Sequence, residues 1–112
     1  DLTNKLGYES KEWHTKAPYL DIEAANWIVD NNYISVCLDF PQDYIAREMP
    51  TRKVYNKEFI IHHKIFDNNI TFIEDLKDIG LINKDKIQIC AIPLKMDCYD
   101  GAPMRTIAID WE

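Results

Sequence analysis

The sequence predicts an α/β domain on three observations. An amphipathic helical stretch runs directly into a short apolar strand, a second helical stretch precedes a second such strand, and two strand-like runs close the chain. The opening stretch through Tyr19 is polar, contains Gly7 and Pro18 and shows no periodicity, which predicts a loop. Asp21 is placed to cap a helix over 21–31, where Ile22, Ala25, Ile28 and Val29 recur at helical spacing and Asn31-Asn32 provides a stop. Tyr33 to Leu38 is apolar and partly β-branched, as a strand buried on both faces requires, and it ends at Asp39 and Pro41. Gln42 to Tyr55, polar and interrupted by Pro50, predicts an exposed loop with no readable chemistry of its own.

Asn56 can cap a second helix through Phe59, Ile60, His62, His63 and Phe66, with Asn68-Asn69 as the turn out of it. Ile70 to Ile73 follows as a strand, and Glu74 stands just past its end. A short helical turn is expected from Asp75 to Ile79, stopped by Gly80. Ile87 to Leu94 is a longer strand, Asp100-Gly101 a turn, and Arg105 to Ile109 the last strand. The expected architecture is a mixed sheet with helices packed on it, and no segment repeats another.

A length of 112 residues fits a single domain, 1–112, and 46% hydrophobic with 29% charged residues is ordinary globular composition. The formal charge of −6, with no basic run longer than Arg52-Lys53, excludes the electrostatic footprint of a nucleic-acid binder. No apolar stretch approaches the roughly 20 residues of a membrane span, and no signal peptide opens the chain, so a soluble cytoplasmic protein is expected. Cys37, Cys90 and Cys98 form no CxxC pair, which argues against both disulfides and a cysteine zinc site. Cys90 lies in an apolar run where burial blunts a thiol nucleophile.

The residues with chemical potential are His62 and Glu74, twelve positions apart across a helix end, a turn and a strand. A chain that climbs along a helix and returns along a strand can bring two such side chains to one point. Imidazole and carboxylate together suit a zinc-like or manganese-like ion. On the residues alone a second reading stays open, in which His62 is a hydrogen-bonded core histidine and Glu74 a capping or surface group. Asp100 and Arg105 read as an ion pair that pins a turn. His14 beside Trp13, and the aromatics Trp27, Tyr33, Tyr44 and Trp111, read as packing or interface rather than as a pocket.

The stretch from His62 through Glu74-Asp75-Leu76 resembles the pattern of the cyclase and kynurenine formamidase family: a ligand His, a helix end, an apolar strand, then Glu-Asn-Leu. Downstream, Pro93-Leu94-Lys95 and the run Gly101-Ala102-Pro103-Met104-Arg105 before a final apolar strand resemble that family's closing signature. Pro18 to Val29 and Ile34 to Pro41 are similar to its upstream helix and strand, so the resemblance covers most of the chain in order. Asp75 replaces the usual Asn, and Asp97-Cys98-Tyr99 stands where a small Gly-bearing turn is usual. The family's His-x-Gly-Thr-His-x-Asp motif is absent from the 112 residues.

The resemblance implies a swivelling β/β/α fold of which 1–112 is the C-terminal part, with the N-terminal part missing. It implies a divalent metal, zinc or manganese, that activates water and polarises the carbonyl of a small amide, formamide or lactam, an arylformamidase-like hydrolysis. His62 and Glu74 would be metal ligands, with Asp75 and Arg105 supporting a ligand or the substrate. No catalytic residue is assigned within the chain, because the base belongs to the absent motif. Association with the missing segment or with further copies is expected, since an incomplete sheet exposes edges and apolar surface. The alternative is a catalytically silent cyclase-like subunit that acts as a binding or assembly partner.

Overall fold

The computed structural model describes Lys5, Gly7, 10–97 and 100–111, and the chain divides into two compact units, 1–77 and 78–112. Helices and two small sheets make it broadly α/β. Cys98 and Tyr99, in the turn singled out above, lie outside the described residues.

In the first unit a helix stands where the sequence predicted a loop: α1, Lys11–Lys16. Ser10 caps it by accepting the Trp13 N–H at 3.0 Å, and Trp13 and Ala17 are buried. Six residues are too few for the helical period to register in a polar window. Helix α2, Ile22–Asp30, forms as expected, its Asp21 carboxylate accepting the Ala24 N–H at 2.8 Å. The Asn31 side chain donates to the Trp27 carbonyl at 2.8 Å, and Asn32 turns the chain with φ 56.

Strand β1, Ser35–Cys37, pairs in parallel with β2, Thr71–Ile73, in the register Ser35 to Thr71 and Cys37 to Ile73. β1 is shorter than predicted and half-buried rather than buried on both faces. Parallel pairing requires a long crossover, and the intervening chain supplies it with α3, Ile60–Phe66. Ala25 and Ile28 of α2, Ile61 and Ile65 of α3, and Ile70 form the buried core, with Leu20, Val29, Val36 and Phe72 packed around it.

Three local expectations are overturned. Asn56 does not cap α3: Asn56–Glu58 is a separate 3-10 turn, held by the Glu58 carboxylate accepting the Tyr55 N–H at 2.8 Å, and α3 begins only after Phe59. The expected exposed loop after Pro41 contains a 3-10 turn, Tyr44–Glu48, and two buried polar residues, Gln42 and Asp43. The helical turn expected over 75–79 forms instead at Ile79–Leu81, because Asp75 and Asp78 adopt left-handed φ of 54 and 64.

The second unit is a hairpin of β3, Gln88–Pro93, and β4, Met104–Ile109, antiparallel with Ile92 opposite Arg105. Among the described residues the single mixed sheet is therefore replaced by two two-stranded sheets, one parallel and one antiparallel. Lys84 pairs with Asp110 at 2.6 Å, and the Trp111 indole donates to Gln88. No ion pair joins Asp100 to Arg105 among the described residues, so the 94–103 connection is not pinned in that way.

Candidate functional site

The site grows from the start of α3. A helix leaves its first N–H groups without partners, and Phe59 at the N-cap has no side-chain acceptor to offer. Asp43 supplies what is missing: its Oδ1 accepts the Ile61 N–H at 2.9 Å and its Oδ2 the His62 N–H at 3.1 Å. The same Oδ2 meets His62 Nδ1 at 2.6 Å, the shortest of the three contacts and of charge-assisted length. Asp43 is 2% exposed, so this carboxylate is fully committed to α3 and its imidazole.

The other edge of the ring faces Glu74. β2 carries the chain back past α3, the Leu38 N–H donates to the Ile73 carbonyl at 2.9 Å, and Glu74 follows directly. Its Oε1 lies 3.5 Å from His62 Nε2. The left-handed Asp75 then turns the chain away, and the Leu76 N–H returns to the Leu38 carbonyl at 3.0 Å. Phe59 and Phe66 stand edge-on to the imidazole with centroids at 5.5 Å, and Phe72 tilts against it at 5.2 Å.

These surroundings act on the imidazole in opposite directions. Burial among the phenylalanines disfavours its charge, but the hydrogen bonds and negative charges of Asp43 and Glu74 outweigh that and push its pKa up to about 9. His62 in the isolated chain at neutral pH is thus an imidazolium between two carboxylates. A cation binding at Nε2 would have to displace that proton.

The two contacts differ in kind. Two donors about 2.1 Å from a tetrahedral ion lie about 3.4 Å apart, close to the Nε2 to Oε1 separation of 3.5 Å. That separation is at the outer limit of a hydrogen bond, whereas the 2.6 Å contact of Nδ1 is short. A metal-bound histidine ordinarily hands its other ring nitrogen to a carboxylate or carbonyl, and Asp43 stands in that place. The donor set fits part of a zinc or manganese site. Among the described residues no group of three His, Cys, Asp or Glu side chains is arranged to hold an ion.

Of the residues singled out in the sequence, His62 and Glu74 are brought together, and His63 points away to the Asn56 carbonyl at 3.1 Å. Asp75 is exposed and contributes its backbone turn, while Arg105 is exposed on β4 of the second unit. His14 stacks edge-on against Trp13 at 5.1 Å, as packing requires. Cys37 and Cys90 are free and half-buried, and burial pushes the Cys37 thiol up despite an opposing hydrogen bond from Ser35. Asp43 is the residue that sequence reasoning missed. No helix among the described residues is long and apolar enough to cross a membrane. No protein-family model, curated protein or solved structure matches the chain.

Proposed function

We propose that the chain contributes to a cyclase-like, metal-dependent hydrolase of C–N bonds, acting on a small amide, formamide or lactam in the cytoplasm. The observation that carries the reading is the pairing of His62 Nε2 with Glu74 Oε1 at 3.5 Å, a ligand-like separation, while Asp43 engages the opposite ring nitrogen. His62 and Glu74 would hold a divalent zinc or manganese ion, which when bound lowers the pKa of water and polarises a carbonyl. The protein's own part is positional. α3 and β2 fix the two donors, and the phenylalanines around His62 exclude water from one side of the ring. Asp75, next to Glu74, is assigned as a support for a ligand or for substrate.

Two ligands leave a four-coordinate ion incomplete, so the active form requires another segment or a second copy to complete the sphere. The same shortfall favours one rival, a catalytically silent subunit that uses this fold for assembly. Hydrolysis of an aryl formamide with added zinc or manganese separates the two. Activity that disappears in both His62→Ala and Glu74→Gln supports the hydrolase. Intact protein that assembles yet neither binds a divalent ion nor cleaves the formamide supports the silent subunit.

A further inference from the structure

We propose that Asp43 is the positioning residue of this site: one buried carboxylate both starts α3 and holds the Nδ1–H of His62, leaving Nε2 as the lone-pair nitrogen toward Glu74. An ionised carboxylate only accepts, and three N–H groups converge on this one: Ile61 N at 2.9 Å, His62 N at 3.1 Å and His62 Nδ1 at 2.6 Å. Capping alone needs only the two backbone donors. The third contact fixes which ring nitrogen carries the proton when the imidazole is neutral, because a lone pair on Nδ1 facing Oδ2 at that distance would be repulsive.

Asp43 is itself held firmly. The Leu20 N–H donates to the Gln42 carbonyl at 2.8 Å and the Ala46 N–H to the Asp43 carbonyl at 3.1 Å. The ring plane is therefore set by a segment 19 residues upstream as well as by the His62 rotamer. A mispositioned carboxylate would disturb helix and imidazole together. This role holds whether Nε2 receives a metal ion or a proton, and only the zinc arm of the following test rests on the proposed function.

The full chain, labelled with 15N at its histidines, is studied by long-range 1H–15N correlation on the alkaline side of the His62 titration, in the wild type and in Asp43→Ala. The wild type is expected to carry its proton on Nδ1. In the variant Nδ1 has lost its acceptor, and the proton moves to Nε2, on the side of the Glu74 carboxylate, while circular dichroism reports that helix content is retained. Titration with Zn2+ should then move the wild-type His62 resonances and show an affinity about 10–100-fold weaker in the variant. A wild-type proton on Nε2 overturns the proposal and needs no variant to be folded, and an unchanged tautomer in a folded Asp43→Ala overturns it too. The expected tautomers with no Zn2+ response in the wild type leave the role of Asp43 standing and remove the metal reading.

Discussion

The two units of the chain are built on opposite terms. Among the described residues every buried side chain lies in 1–77, including Ile65 at 0% and the polar pair Gln42 and Asp43. The second unit, 78–112, joins a 3-10 turn to a two-stranded hairpin and leaves Ile92, Leu94, Met96 and Trp111 more than half exposed. An isolated hairpin is marginal in water, whereas helices packed over a parallel crossover bury a core of their own. The chemistry follows the burial. A carboxylate can be committed to a helix start and an imidazole only where packing holds all of them, and that condition is met in the first unit.

The contrast can be broken most forcefully at Ile65, which is fully buried in the core beneath α3. Ile65→Ala is expected to destabilise the first unit by about 2–5 kcal/mol, measured by urea unfolding. The next effect is a pH dependence. The His62 pKa is raised from 6.5 to about 9 by Asp43 and Glu74 acting against burial. Its stabilisation is therefore complete below about pH 6.5 and is lost as pH rises through about 9, with a slope of at most about 1.4 kcal/mol per pH unit. Urea midpoints collected across that window should fall in the wild type and flatten in His62→Gln.

A smaller loss is expected at the α2 cap, where Asp21→Ala removes the acceptor of the Ala24 N–H and should cost about 1 kcal/mol in the same assay. The smallest effect belongs to the hairpin: Ile92→Ser, at a side chain 58% exposed, should change stability by less than about 0.5 kcal/mol. A large loss at Ile92 would show that the hairpin is covered in solution and would erase the contrast.

What could be read from the sequence was what is encoded within one short window. Asp21 and the apolar repeat of α2 lie together, and Ile70 to Ile73 followed by Glu74 announces a strand and a poised carboxylate. The approach of His62 to Glu74 was readable as a spacing, because helix rise and strand rise constrain where twelve residues can return. Asp43 was not readable in this way. Its partners stand 18 and 19 residues downstream, and nothing around it is periodic, so its burial and its three bonds exist only once α3 is folded against it. The misplaced start of α3 has the same origin, since Asn56 is a good local cap displaced by a distant one. Asp75 and Asp78 misled for a different reason: aspartate tolerates both a helical first turn and the left-handed conformation found here.

Metal content decides whether His62 and Glu74 share the divalent ion proposed for them. Mass spectrometry of the intact protein, isolated without chelator, should find zinc or manganese in stoichiometric amount in the wild type and its loss in folded His62→Ala and Glu74→Ala. A wild type without a stoichiometric divalent ion, or one whose metal survives both substitutions, would show that the pair holds no metal.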